Sequence, residues 1–402
     1  MTKYVVLNFP AYGHVNPTLA VVQELVARGE EVVYYNTEEF KEAIEATGAT
    51  FQGYQSSMGQ ITPPPFLGRA NNPPVGSILP KFMIEESRKV IPQVLERVRA
   101  ERPDYIIYDG MALWARIVIQ VLNVPAIMLR PSYAANEHTN LFAAQMAEQR
   151  EAMPPEFFAT MNPALADLCA TYNVPPFTMR EIFSHSEPLT IVFLPRAFQP
   201  AGDTFDERFV FVGPSLLPRH QASDFPLEKL EKQPTLYISL GTVFNNQADF
   251  FNLCFSAFGE SPWQVVLSYG KRIDPLTLHA VPQNFLLSAY VPQLEVLSRT
   301  DIFVTHGGMN STMESLYYGV PMIVIPQMIE QALTARRVEE LGLGISLDRD
   351  TVTVETLQEA VTRVSSDPVF RERTQAMQQE VRNAGGYRRA VDAIIQFSRS
   401  HS

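Results

Sequence analysis

Two clusters of residues in this sequence carry reactive or anion-binding groups at informative spacings. The first is His306-Gly307-Gly308, followed by Asn310, Ser311 and Glu314. Apolar runs rich in branched residues stand on either side, at 301–305 and 320–326, and read as buried parallel strands. The segment between them, Met309 to Tyr318, tolerates a helix, and Gly319 and Pro321 supply its stop. A glycine turn that opens a helix at the carboxyl end of a parallel strand presents backbone N–H groups and a positive dipole end. That arrangement suits an anion, most often a phosphate. Asn310 and Ser311 fall in the first turn, with Glu314 one turn beyond Asn310 on the same face. A carboxylate fits beside a phosphate when it accepts hydrogen bonds from another group, such as ribose hydroxyls. A plain capped βα turn accounts for the glycines but not for the four polar residues together.

The second cluster lies at the front. A strand over 4–9 ends in Pro10-Ala11-Tyr12-Gly13-His14-Val15-Asn16-Pro17. Neither G-x-G-x-x-G nor G-x-x-x-x-G-K-[ST] is present, so His14 takes the strand-end position where ligands bind. Asp109 closes another strand, 105–108. Ends of two strands on one sheet edge can converge, and a carboxylate on one imidazole nitrogen fixes the tautomer and leaves the other to take a proton. The plain alternatives are a backbone-bonded polar residue at a helix start for His14 and a helix N-cap for Asp109. Spacing alone leaves both open. Asp348-Arg349-Asp350 has the form of a metal-binding D-x-D, but it follows a strand-like 344–347 and reads as a turn cap. No H-E-x-x-H, G-x-S-x-G or cysteine–histidine set occurs, and His138 has no partner readable from the sequence.

Positioning both clusters requires parallel sheets, and the chain has the rhythm for them. In the first half, strands at 4–9, 32–35, 105–108 and 126–129 alternate with helices at 16–28, 38–47 and 113–122, and one or two helices at 77–100 broken near Pro80 and Pro92. This is a βαβ series with helices on both faces. Residues 60–77 are dense in Pro, Gly and Asn and read as a long loop; residues 132–188 read as irregular helices. A Pro- and charge-rich linker follows Gly213. A second series then opens at 235–240, with strands at 263–268, 285–289, 301–305 and 320–325. Helices at 353–364, 368–383 and 387–398 close the chain. Boundaries are expected at 1–213, 214–232 (linker), 233–384 and 385–402.

Composition narrows the classes. The chain of 402 residues exceeds one ordinary core. Its formal net charge of −11 argues against nucleic acid or an anionic membrane as partner. The 2 cysteines, Cys169 and Cys254, are far apart, which fits a reducing cytoplasm better than a disulfide framework. No run approaches the ~18 apolar residues of a membrane span, and the opening segment reads as a strand rather than a signal peptide.

Tyr290-Val291-Pro292-Gln293, His306-Gly307-Gly308, Asn310-Ser311, Glu314, Gly319-Val320-Pro321 and Glu330-Gln331 together resemble the donor-binding signature of UDP-glycosyltransferases, in particular their bacterial macrolide-glycosyltransferase-like subgroup. With the opening residues, the resemblance covers nearly the whole chain. It implies an α/β architecture of two Rossmann-like domains facing across a cleft (the glycosyltransferase-B fold), with the last helix crossing back to the first domain. It matches His14 and Asp109 to the catalytic histidine and its supporting aspartate. On the donor side it implies that Tyr290 stacks on the nucleobase, and that Val291 backbone and Gln293 read the uracil edge and neighbouring ribose. Ser239, Thr242, His306, Gly308, Asn310 and Ser311 would hold the diphosphate, Glu314 the ribose hydroxyls, and Glu330 and Gln331 the sugar. The expected reaction is a metal-independent inverting transfer of a hexose, glucose from UDP-glucose, with no cofactor and no metal ligand set. Its acceptor would be a hydroxyl of a hydrophobic small molecule such as a macrolide, flavonoid or other phenol, in an apolar pocket drawn from Tyr12, Phe66, Phe82, Trp114 and Tyr133. A UDP-sugar epimerase and a non-catalytic nucleotide-sugar binder are the competing readings.

Overall fold

The computed structural model describes residues 1–58, 75–139, 156–217, 225–231, 233–241, 247–270 and 272–401. They form two compact units, the first running to Leu216 and taking up the chain again from Ala384, the second spanning Leu217–Asn383.

The first unit contains β1 (Lys3–Leu7), β2 (Glu31–Asn36), β3 (Thr50–Gly53), β4 (Tyr105–Asp109), β5 (Ala126–Arg130), β6 (Thr190–Val192) and β7 (Phe209–Phe211). They make a seven-stranded sheet in the order β3-β2-β1-β4-β5-β6-β7, with every pairing parallel. Continuous apolar runs such as Tyr105–Asp109, buried at every position, are what a sheet covered on both faces requires. One face packs Val5 and Ile106 under the helices 75–101 and 113–122, the second of which adds Trp114 to the same core. The other packs Tyr4, Ile107 and Ile127 against the helices Tyr12–Ala27 and Gly386–Ser400.

Several expectations need correction. The first helix begins at Tyr12 rather than Asn16 and carries Pro17 inside it. Pro17 is the sixth helical residue, so its ring removes the hydrogen bond that an N–H there would donate one turn back, and the helix carries that loss rather than starting at the proline. Residues 75–101 form one helix, unbroken at Pro80 or Pro92, so 75–77 belong to it; 60–74, the rest of the expected loop, lie outside the described residues. Strands β3, β6 and β7 were not anticipated as strands; they are four, three and three residues long.

The second unit holds β8 (Thr235–Ser239), β9 (Gln264–Ser268), β10 (Phe285–Ser288), β11 (Ile302–Thr305), β12 (Met322–Val324) and β13 (Gly344–Ser346). Their order is β10-β9-β8-β11-β12-β13, again all parallel. Both sheets therefore reverse strand order once, between β1 and β4 and between β8 and β11. At such switch points the loops leave the strand ends in opposite directions and open a crevice for ligands. Among the described residues, no helix is long and apolar enough to cross a membrane.

Candidate active site

Both chemical clusters fall at these switch points. In the first unit, the chain leaves β1 and enters the helix at Tyr12, so His14 is its third residue. Neighbouring β4 delivers Asp109 at its last position. His14 Nδ1 lies 2.7 Å from Asp109 Oδ2. Asp109 is 1% exposed, and its Oδ1 accepts the Met111 backbone N–H at 2.7 Å. The carboxylate thus holds the imidazole with one oxygen and the turn at Met111 with the other. It is not the helix N-cap of the plain alternative; that position is Ala112, which carries no side-chain capping bond. An Nδ1–H donated to Asp109 leaves the lone pair on Nε2, the nitrogen that can accept a proton.

Asn8, directly after β1, donates from Nδ2 to the His14 carbonyl at 3.2 Å and to Tyr34 Oη at 2.5 Å. Tyr54 Oη donates back to the Asn8 carbonyl at 2.9 Å. This buried scaffold fixes the start of the helix that carries His14, and sequence reasoning passed over it. An Asn ending an apolar strand is its only visible signal.

The expected acceptor residues divide. The Phe9 ring meets the His14 ring at 5.1 Å, and Phe82 meets Phe9 edge-on at 6.3 Å, so Phe82 stands one ring removed from the dyad. Tyr12 is 45% exposed and packs on Phe40. Trp114 is a correction: it is 1% exposed and packs against Tyr54 in the core, because its apolar helix face is covered by the helix 75–101. Tyr133 is buried and stacked on Phe198. Phe66 lies outside the described residues.

In the second unit, the helix Met309–Tyr318 starts directly after the glycine pair, with Gly308 as N-cap and no side-chain capping bond. Its first N–H groups face the carboxyl edge of the sheet, the arrangement that favours an anion. Asn310 and Ser311 occupy the second and third helical positions, as expected. The His306 ring is wedged between two backbones. A Cβ built on Gly308 would fall 2.4 Å from Nε2, and one on Gly241 2.6 Å from Cε1. Only glycine lets the β8 and β11 loops close on the imidazole. Burial pushes the His306 pKa down to about 4, against a hydrogen bond to the Ser239 backbone that raises it. The ring is therefore neutral near pH 7 and brings no positive charge of its own to an anion.

Gln293 opens the short helix Gln293–Leu297. Its Nε2 donates to Glu314 Oε2 at 2.5 Å and Ser311 Oγ at 3.3 Å, and its Oε1 accepts from Tyr237 Oη at 2.9 Å. Glu314 is 2% exposed. Gln293, Ser311 and Glu314, separate in sequence, are thus one hydrogen-bonded set. Tyr290 exposes 49% of its surface while Val291 beside it is buried, which leaves the tyrosine ring accessible for stacking. Ser239 ends β8, its hydroxyl accepting the Gly241 N–H at 3.3 Å. Thr242 lies outside the described residues. Glu330 is exposed at the start of the helix Ile329–Glu340. Gln331, which could have been a solvated helix residue, is instead 6% exposed, with Oε1 accepting the Gln327 backbone N–H at 2.7 Å. It braces the loop after β12. Asp348 Oδ1 accepts the Asp350 N–H at 2.9 Å, a turn as expected.

Residues 255–387 match the family described as Erythromycin biosynthesis protein CIII-like, C-terminal domain. The NDP-glycosyltransferase YjiC of Bacillus subtilis (strain 168) is 43% identical over 401 residues, covering 99% of this chain and 98% of the relative. The oleandomycin glycosyltransferase of Streptomyces antibioticus is 30% identical over 96% of this chain and 89% of its own. Among solved structures, the calicheamicin glycosyltransferase CalG4 superposes with a TM-score of 0.85 at 32% identity, covering 99% of this chain and 98% of that one. The two parallel-sheet units are the two Rossmann-like domains of the glycosyltransferase-B fold, and the chain belongs to the nucleotide-sugar glycosyltransferases, enzymes that use an NDP- or UDP-sugar as donor.

Proposed function

We propose that the enzyme transfers glucose from UDP-glucose, with inversion and without a metal ion, to a hydroxyl of a hydrophobic small molecule. The observation that carries this reading is the 2.7 Å contact between His14 and Asp109 at a strand-end crevice. His14 Nε2 takes the proton of the acceptor hydroxyl as its oxygen bonds to the anomeric carbon from the face opposite the diphosphate. The bond from that carbon to the diphosphate oxygen breaks, and UDP leaves with the electron pair. Asp109 stabilises the imidazolium. The departing charge meets the helix end at Gly308–Ser311. Gln293 and Glu314 hold the ribose, Tyr290 stacks on the base, and Glu330 and Gln331 face the sugar. Macrolide relatives such as the oleandomycin enzyme and the aromatic neighbours Phe9 and Phe82 favour an apolar acceptor. Two buried free cysteines suit a reducing cytoplasm.

Incubation with UDP-glucose and a panel of hydrophobic phenols and alcohols, read by product mass and anomeric configuration, tests the proposal. Inverted β-glucosides are expected. Conversion of UDP-glucose to another UDP-hexose without acceptor would mark an epimerase, and no turnover at all a silent binder. Turnover is expected to survive exhaustive chelation with EDTA; loss restored by Mg²⁺ would overturn the metal-free mechanism.

A further inference from the structure

Gln293 has an amide whose two ends differ in chemistry, and its surroundings decide which end goes where. A carboxylate accepts hydrogen bonds and donates none, so the side facing Glu314 Oε2 must be the NH2 group. That places the carbonyl oxygen against Tyr237 Oη at 2.9 Å, where the phenol must donate. The reverse orientation sets a carbonyl against a carboxylate that is 2% exposed, two acceptors with no proton between them. Tyr237 is itself held firmly. It is 1% exposed, it lies opposite Phe303 in the β8–β11 register, and the two rings stack at 4.6 Å with 4° between their planes.

We propose that Tyr237 is a positioning residue for nucleotide recognition: its O–H locks the Gln293 amide so that its NH2 braces Glu314 and Ser311 in donor-binding geometry. The inference rests on the donor-site reading above. Tyr237 makes no contact with the donor in this account; it acts through Gln293. A flipped or rotating amide would leave Glu314 without its brace and present the wrong group to the ribose.

A double-mutant cycle over Tyr237→Phe and Gln293→Ala separates the possibilities, with UDP binding followed by calorimetry and donor KM and kcat followed with UDP-glucose. Tyr237→Phe keeps the ring stack and removes one donor from a buried acceptor. It should weaken UDP binding by about 5–30-fold, with the loss on donor KM rather than on kcat and no change in acceptor KM. In the Gln293→Ala background the same change should have no further effect, because the group it positions is gone. Equal weakening in both backgrounds would show a general packing role and overturn the proposal. Unchanged UDP affinity in Gln293→Ala would overturn the donor-site reading, and the proposal with it. If Tyr237→Phe folds poorly, the wild-type protein labelled with 15N still decides: slow solvent exchange of the Gln293 side-chain amide protons supports a locked amide, and exchange as fast as that of an exposed glutamine overturns it.

Discussion

In the proposed mechanism, replacing His14 by Ala removes the proton acceptor with a change that lies wholly in the first unit. Turnover should fall by roughly 10²–10⁴ while calorimetric UDP affinity stays within about twofold of wild type. An equal loss of UDP binding would mean His14 serves the donor instead. Asp109→Asn should move in the same direction, since the Oδ2 that holds Nδ1 becomes a neutral amide that cannot stabilise imidazolium. Glu314 gives a second test at this scale. A ribose offers two adjacent hydroxyls to a carboxylate, and a thymidine donor lacks one of them. The unpaired acceptor costs ~1–3 kcal/mol, or roughly 5–150-fold in specificity. UDP-glucose should exceed TDP-glucose in kcat/KM by that order, and Glu314→Ala should narrow the ratio. A ratio unchanged in the variant would remove Glu314 from ribose recognition. The positions of His14, Asp109 and Glu314 were legible in the sequence because each sits near a strand end or at a fixed helical offset from a glycine turn; that His14 and Asp109 meet was not, since spacing alone leaves it open. Tyr237 and Asn8 were not legible either. Their roles come from side chains that meet only when neighbouring strands and loops pair, and a Tyr or Asn in an apolar run carries no sign of it. Trp114 misled for the converse reason: aromatic residues beside a site are more often core than lining.

At the level of elements, the β11 turn joins fold and site through one ring. His306 is seated between Gly241 and Gly308, and burial lowers its pKa to about 4. A histidine with a folded pKa below its unfolded value resists protonation only while folded. Its contribution to stability is complete above the unfolded value of 6.5 and is lost as pH falls toward 4. The loss should be on the order of 2–3 kcal/mol across that window. Denaturant unfolding of wild type and His306→Gln at about pH 7 and about pH 5 measures it. Wild type should lose more stability between the two, and equal losses would show that His306 titrates normally. Sequence periodicity placed this helix correctly, at Met309–Tyr318, because Gly308 and Gly319 bracket it. It placed the first helix four residues late, because proline was taken for a start signal although the turn before it was already helical. It missed β3 because the half-exposed Thr50–Gly53 carries too little apolar pattern to register, and it passed over β6 and β7 although both lie in apolar runs, at 189–194 and 209–212.

For the molecule as a whole, the terminal helix shows how a distant segment completes a core. Gly386–Ser400 belongs to the first unit although the whole of the second precedes it. Only the resemblance to a known family pointed there, since periodicity reveals an apolar face and not the partner that covers it. The structure names that partner. Ala390, Val391 and Ile394 are fully buried against Tyr4, Val21 and Leu25. The Tyr4 and Tyr105 hydroxyls reach the Ser398 hydroxyl and carbonyl at 2.8 and 2.9 Å, and Arg28 pairs with Asp392 at 2.5 Å. The ion pair is exposed and contributes at most ~1 kcal/mol. Burial dominates: Val391 and Ile394 together account for on the order of 3–6 kcal/mol, a large share of the ~5–15 kcal/mol that holds a typical domain. Removing residues 385–402 should therefore lower the denaturant midpoint of the first unit and abolish acceptor-dependent turnover. UDP binding, for which the proposed donor residues all lie in the second unit, should persist in calorimetry. Ile394→Ala provides a milder form, with an expected cost of ~2–5 kcal/mol and no direct effect on UDP affinity. A truncated chain that kept its full midpoint would show that the first core closes without this helix, and the burial argument would fail.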